Sequence, residues 1–514
     1  MDFFRSKRFS ARIRRLMELW HVPGLAVAVV QGEEIESKGY GVANLASAEP
    51  VTGSTLFDVA SVSKSFTAAA VGLLVAEKNY PEVQYTATMS SLLPDDFVMY
   101  EEGYTECVTL EDILSHRTGL PGHDRSYLKS DTPRSVTRNL RNLKVVAPLR
   151  SRWMYCNQMY TVAAHLIEER TGQKFSDFLE ERIFSPLQMG STSLQPSRAH
   201  EKGHGGRIAT GYRWIGSEPK ATTDSDSSIL SSSENLNPRS SYRAMEVFNH
   251  PVEKGAGSIL TSADDLIKWG CPITGDVYRG MTRMRAIVDP SGEWQRRHGS
   301  AVIYAAGLEM YHYRGHAAIG HDGCVSGFAS RFVFLPELDF GVCLMGNSQD
   351  VKNFSDDVCR MLLDAALGVG EKKIVASQIN SQSETTEPST ESNNENIDVK
   401  FKEQLSGLEL GLPLTAYTGI YRNSGYHDLE VRVTKDGRLF IDASNRSMGF
   451  ILMFEHFRTE THFNSRVVSA IDGVERHIIG NFILSVDGAV DKMGLHLEPM
   501  MHEMIWFDHV VDWE

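Results

Sequence analysis

Cysteine is scarce in this chain, with six in 514 residues, at Cys107, Cys156, Cys271, Cys324, Cys343 and Cys359. No two stand as CxxC, and six scattered over such a length exclude a disulfide scaffold, so reduced thiols are expected. A long unbroken apolar run is also missing. The opening MDFFRSKRFSARIRRLMELW interleaves Arg and Lys with apolar residues, and so resembles neither a secretory signal nor a membrane span. A cytoplasmic protein is the default expectation, although an Arg-rich, acid-poor start leaves an organellar presequence open. Positive charge is in deficit: 52 Lys and Arg face 66 Asp and Glu, a net charge of −14. Phosphate backbones and anionic bilayers repel such a molecule, so neither nucleic acid nor membrane is an expected partner.

What is present is ordinary globular material, with 41% hydrophobic, 9% aromatic and 23% charged residues. The length exceeds by severalfold the roughly 150 residues of a typical domain, so more than one domain is expected. Phe9, Ile13, Leu16, Met17 and Trp20 recur at helical spacing and end at Pro23-Gly24. Leu25 to Val30 and Ile35 to Tyr40 read as a strand pair, and Ser330 to Leu335 with Phe340 to Met345 as a second hairpin around Pro336 to Asp339. Helical patterns lie between them, at Ser61 to Glu77, Thr109 to Ser115, Tyr160 to Arg170 and Ala263 to Trp269. Strands near both ends with helices between imply an α+β domain over residues 1–370, an antiparallel sheet flanked by helices beside a mostly helical subdomain.

Two stretches are polar, Ser-rich and too poor in apolar residues to offset the entropy of ordering. Residues 199–250 read as a flexible insertion, and 371–399 as a disordered linker. Beyond it, residues 400–514 give short alternating segments such as Leu429 to Val433 and Leu439 to Ile441, separated by Lys435-Asp436-Gly437 and Asp472-Gly473. That spacing predicts a small all-β domain, a barrel or a sandwich.

Three short motifs could carry chemistry. Ser61-Val62-Ser63-Lys64 stands at the start of an Ala/Val/Leu-rich helix, where positions i and i+3 share a face. A serine hydroxyl needs a base to become a nucleophile, and the Lys64 amine is one turn away. Alone the tetrapeptide is weak, since Ser217-Glu218-Pro219-Lys220 repeats it in a polar stretch. Tyr155-Cys156-Asn157 precedes another helix. A tyrosine there becomes a base only if cations lower its pKa, while the asparagine amide can hold a substrate carbonyl or orient a lysine. Tyr421-Arg422-Asn423 repeats this pattern in the β region. Gly320-His321-Asp322-Gly323-Cys324 precedes the late hairpin, where glycines let a strand pass close to a ligand; His204-Gly205-Gly206 is its decoy.

Other residues carry bland readings. Cys156 alternates away from Tyr155 and Asn157 and reads as a small buried hydrophobe. His116 and His123 flank a Gly-Pro turn and read as structural hydrogen-bonding groups. His200-Glu201-Lys202-Gly203-His204 spells HExxH, but its glycines oppose the helix that a zinc site needs, and His312 with His316 lacks the glutamate. No metal and no cofactor are expected.

The order Ser-x-x-Lys, Tyr-x-Asn, His-x-Gly resembles the three motifs of the serine β-lactamase and penicillin-binding protein superfamily, most closely its class C branch. That branch includes D-aminopeptidases, carboxypeptidases, esterases and fungal acyltransferases. His21-Val22-Pro23-Gly24, Leu114 to Pro121, Ile183 to Leu187 with Met189-Gly190, and Gly255-Ala256-Gly257-Ser258 agree with its usual wording. The resemblance spans about residues 9–370. Tyr417-Thr418-Gly419-Ile420-Tyr421 opens a tail similar to the lipocalin-like barrel of some members.

The resemblance implies that Ser61 forms an acyl-enzyme, that Lys64 and Tyr155 share the proton transfer, and that Asn157 positions Lys64 and substrate. Which of Lys64 and Tyr155 is the base stays open. The backbone N–H groups of Ser61 and Cys324 would form the oxyanion hole, with His321 and Gly323 lining the substrate. Where class C β-lactamases have Lys-Thr-Gly, this chain has His321-Asp322-Gly323. A histidine is mostly neutral at pH 7, and Asp322 would repel a carboxylate if it faced the site. A serine hydrolase of small amides, D-amino-acid peptides or esters is therefore expected ahead of a β-lactamase. An acyltransferase in natural-product biosynthesis and a non-catalytic scaffold are the alternatives. The partner is a small-molecule acyl, amide or ester substrate, and the oligomeric state stays open.

Overall fold

The computed structural model describes the chain except for residues 217–240, 246, 248, 250–253, 270–274, 289, 291–298, 370–411, 458, 460 and 511–514. The expected linker and the Ser217-x-x-Lys220 decoy lie outside the described residues. The chain forms two compact units that do not follow its linear order. One holds residues 1–76, 173–249 and 256–368; the other holds 77–172, 250–255 and 369–514. The sequence predicts division at a linker near residue 370, whereas the segment 77–172 groups with the C-terminal region. Contacts between elements far apart in sequence decide this, and local patterning carries no record of them.

The first unit is built on a nine-stranded antiparallel sheet. Its order runs Glu49–Pro50, Glu34–Asn44, Gly24–Gln31, Phe340–Gly346, Phe328–Leu335, His316–Val325, Glu309–Tyr313, Ile303–Tyr304, Ala286–Ile287. The two hairpins expected from the sequence thus meet at the centre, where Leu25 pairs with Gly346 and Gln31 with Phe340. GLAVAVVQ and FGVCLMG are apolar nearly throughout because helices cover the sheet, among them Ala263–Trp269 and Lys352–Ala366. The N-terminal helix Lys7–Leu19 buries Phe9, Ile13, Leu16 and Met17 as its spacing predicts. Trp20 does not join them: it is the C-cap and stays exposed, because the helix ends one residue before it.

Part of the expected flexible insertion is ordered. A helix runs over Pro196–Glu201, and Gly211–Trp214 pairs with Tyr242–Met245. Ring packing accounts for this, with Trp214 on Tyr242 at 4.8 Å and stacked on His21 at 3.9 Å. The helix carrying His200 and Glu201 stops before His204, so the two histidines of HExxH do not share a helical face. Among the described residues, no cluster of three or more His, Cys, Asp and Glu could hold a metal ion, and no helix is long and apolar enough to cross a membrane.

In the second unit, helices between residues 77 and 172 accompany a closed eight-stranded barrel running from Gly419–Asn423 to Ile505–Val510. Every neighbour in the barrel is antiparallel, and the first strand closes on the last through Ile420 and Val510. The sequence leaves barrel or sandwich open; closure removes the edges a sandwich would expose. Tyr417, Tyr421, Phe454, Phe463 and Phe482 are all buried, with ring centroids 4.7 to 6.5 Å apart. Tyr421, of the decoy Tyr-x-Asn, spends its hydroxyl on the Tyr417 carbonyl.

Candidate active site

In the first unit, Phe57–Asp58 pairs with Ile259–Thr261, and the chain then turns sharply. Buried Asp58 accepts from the Ala60 N–H at 2.7 Å, holding Ala60 at φ +47°, a conformation that costs a residue with a Cβ. Burial in turn pushes the Asp58 carboxyl up to about 6. A single 3-10 turn, Ala60–Val62, follows, and only at Ser63 does the α-helix to Ala76 begin. Ser61 therefore stands at the helix start as read, in the 3-10 turn that leads into the α-helix, two residues before its first α-helical residue.

Lys64 reaches it. Its Nζ donates to Ser61 Oγ at 2.9 Å and to the Ala256 carbonyl at 2.8 Å. The lysine is fully buried, an environment such a group tolerates only with polar partners. The surrounding helix is buried on nearly every side. Phe66 stacks on Trp269 at 4.1 Å, whose indole N–H donates to Ser65, while the Ile259 N–H donates to Ser63. Ala256 belongs to the Gly255 to Ser258 phrase, so a segment noticed for its wording supplies the carbonyl that anchors the lysine.

The strand His316–Val325 runs against the same turn. A Cβ on Gly323 would stand 2.1 Å from the Val59 carbonyl oxygen, which also accepts from Ser330 Oγ at 2.9 Å. Only glycine permits this approach. Alternation along the strand sends 321 and 323 to one face, 322 and 324 to the other. Asp322 accordingly pairs with Arg331 at 3.0 Å on the face away from His321, so the repulsion considered from the sequence does not arise at that face. Cys324 is exposed, and the same alternation puts its side chain on Asp322's face of the strand.

His321 is buried, and both ring nitrogens are engaged. Nδ1 lies 2.5 Å from the Asp322 carbonyl oxygen, an atom that can only accept, so Nδ1 carries the proton. Nε2 is then the acceptor, and the Tyr304 hydroxyl donates to it at 2.9 Å. Burial, followed by the charge of Lys64, lowers the imidazole to about 3, so the ring is neutral at physiological pH. Tyr304 is a residue that sequence reasoning missed. It stands in a two-residue strand, and no motif marks it.

Tyr155 and Asn157 belong to the second unit. The Tyr155 ring lies 4.3 Å from that of His116 and 5.8 Å from that of Trp153, and His116 Nδ1 accepts the Cys156 N–H at 3.1 Å. His116 thus has the structural use expected of it, with Tyr155 packed on its ring. Cys156 is fully buried, and its thiol is pushed up to about 12 by desolvation, which suits a packing residue and not a nucleophile. Asn157 begins the helix Asn157–Thr171, and its Nδ2 donates to Asp124 Oδ1 at 3.1 Å.

Residues 9–366 match the family described as Beta-lactamase. This chain belongs to the Beta-lactamase family. Residues 411–509 of this family member match a domain of unknown function, DUF3471, which coincides with the barrel. An unguisins hydrolase of Aspergillus violaceofuscus is 31% identical over 96% of this chain and 88% of its own length. A D-aminopeptidase of Brucella canis is 26% identical over 70% of this chain and 62% of its own. Among solved structures, the octameric penicillin-binding protein homologue of Pyrococcus abyssi superposes with a TM-score of 0.59 at 18% identity, covering 97% of this chain and 99% of that one. The D-amino acid amidase of Ochrobactrum anthropi SV3 gives 0.51 at 21% identity, over 70% and 99%. These structures share the fold, and the family and the relatives' names together point to a hydrolase of the serine β-lactamase fold.

Proposed function

We propose that this protein is a serine hydrolase that cleaves a small amide, a D-amino-acid peptide or an ester through an acyl-enzyme on Ser61. The carrying observation is the 2.9 Å hydrogen bond between Lys64 Nζ and Ser61 Oγ, with the lysine buried and anchored on Ala256. In this reading Ser61 Oγ attacks the substrate carbonyl carbon and gives up its proton to the Lys64 and Tyr155 pair. The leaving amine or alcohol takes that proton as its bond to carbon breaks, and water then hydrolyses the acyl-serine.

The close approach of Gly323 to Val59 favours backbone N–H groups of Ser61 and Cys324 as the oxyanion donors, each worth about 3 kcal/mol in acyl transfer. His321 and Gly323 would line the substrate, and Asn157 would hold it together with Lys64. A neutral His321 supplies no fixed positive charge for a substrate carboxylate, which supports amides and esters over β-lactams. The hydrolase name of a relative aligned over 96% of the chain favours water as the acceptor over a second substrate.

The test is a fluorophosphonate probe followed by peptide mapping, with a panel of chromogenic esters, D- and L-aminoacyl anilides and a cephalosporin. An adduct on Ser61 that disappears in Ser61→Ala, with turnover of an ester or D-aminoacyl anilide, is the expected result. A folded chain that neither reacts nor turns over any of them would leave the scaffold alternative standing.

A further inference from the structure

The segment 122–125 is held from two sides within the second unit. On one side stands the start of the Asn157–Thr171 helix. Asn157 Nδ2 donates to Asp124 Oδ1 at 3.1 Å, and Gln158 Nε2 donates to the His123 carbonyl at 3.2 Å and to Ser126 Oγ at 3.0 Å. On the other side stands the barrel region. Glu498 Oε2 accepts the His123 N–H at 2.7 Å, the Leu497 carbonyl accepts from Arg125 at 2.9 Å, and the Tyr426 hydroxyl meets His123 Nδ1 at 2.8 Å.

The chemistry of these groups fixes their roles. His123 Nε2 lies 3.0 Å from the Lys144 carbonyl, so Nε2 carries the proton and Nδ1 must accept from Tyr426. Burial lowers the imidazole pKa and keeps it in that neutral form. His123 sits at φ +46°, a strained conformation for a side-chain-bearing residue that persists only where its surroundings over-determine it. Glu498, itself buried, is one of the groups that do so; its second oxygen accepts from the Met500 N–H. Asp124, next in the chain, is acceptor-only when ionised. It therefore fixes which end of the Asn157 amide is the donor, and leaves Oδ1 as the end available to an ammonium or a substrate N–H.

We infer that, within the second unit, Glu498 and Tyr426 on the barrel side are positioning residues that set Asn157 through His123 and Asp124. This rests on the reading of Ser61 and Asn157 given above. It assigns the matched domain of unknown function the task of holding a loop, not of carrying a ligand.

The test uses the full-length chain and the rate constant for Ser61 labelling by a fluorophosphonate, a reaction in which the Oγ–P bond forms while fluoride and the serine proton leave. Glu498→Ala is expected to slow labelling about 10- to 100-fold, the effect of a small displacement in a catalytic group. Glu498→Gln, whose amide oxygen still accepts the His123 N–H, restores most of the rate. Because the two act along one path, Asp124→Ala with Glu498→Ala is no slower than Asp124→Ala alone. Tyr426→Phe keeps the ring and removes the donor; it slows labelling, and it decides the matter if Glu498→Ala does not fold. Folded Glu498→Ala or Tyr426→Phe protein that labels at the wild-type rate, or losses that multiply in the double variant, would overturn the inference. Wild-type protein that never labels at Ser61 overturns instead the hydrolase reading on which it rests.

Discussion

The Tyr304 hydroxyl donates to His321 Nε2 over 2.9 Å, while the other ring nitrogen spends its proton on the Asp322 carbonyl. One tautomer is thereby fixed, and the position presents a neutral ring where class C β-lactamases carry a lysine. Tyr304→Phe removes a donor to the unprotonated Nε2, so the His321 pKa should rise above its value of about 3, by an amount limited by the burial and the Lys64 charge that remain. Imidazole nitrogen shifts read across a pH titration should show it, as should a new acidic limb in kcat/KM. A His321 signal that titrates identically in both proteins would show that the hydroxyl has no such role.

The same burial makes stability depend on pH. His321 is neutral in the folded chain down to about pH 3 but charges near 6.5 when unfolded, so its contribution is complete above 6.5 and fades as pH falls toward 3. Asp58, raised to about 6, acts in the opposite sense, losing stability as pH rises through that value. Comparison with His321→Asn separates the two. Between pH 7 and pH 4 the wild type should lose on the order of 3 kcal/mol more than the variant, as measured by urea denaturation. Equal losses would contradict the burial argument.

Lys64→Gln keeps a hydrogen-bond donor near Ser61 but cannot take its proton. Labelling and turnover should fall by about 10²- to 10⁴-fold, the usual worth of a general base. Retention of wild-type kcat would move the base elsewhere, to Tyr155 or to solvent.

Gly323→Ala introduces a Cβ 2.1 Å from the Val59 carbonyl oxygen, a backbone atom that cannot step aside without moving the turn carrying Ser61. Acylation should drop about 10²-fold or more, the cost of losing one oxyanion donor, with little change in far-ultraviolet circular dichroism. Crystals showing an unmoved turn and an unaltered rate would refute the close-approach account.

Phe482 lies among Tyr417, Tyr421, Phe454 and Phe463 inside the barrel. Phe482→Ala leaves a cavity that those rings cannot fill, and should destabilise the second unit by about 3 to 5 kcal/mol in calorimetry. A shift of less than about 1 kcal/mol would mean that the interior is loosely packed.

Some of this was legible in the amino-acid order alone. The spacing of Ser61 and Lys64, the apolar runs Leu25 to Val30 and Phe340 to Met345, and the turn at Lys435-Asp436-Gly437 are local patterns, and in the structure Lys64 reaches Ser61, both runs are strands and the turn joins two strands. The three motifs and their order pointed to the family because they are words in a line.

Tertiary structure alone decided the rest. Tyr304 and His321 are 17 residues apart, Ala256 and Lys64 are 192 apart, and Glu498 and His123 are 375 apart. Asp322 turned from the His321 face because a strand alternates and Arg331 stood across from it. The grouping of residues 77–172 with the barrel follows from such distant hydrogen bonds. Periodicity reports which face of an element is apolar; it does not report which other element that face will meet, because the meeting is settled by packing among segments that share no local pattern.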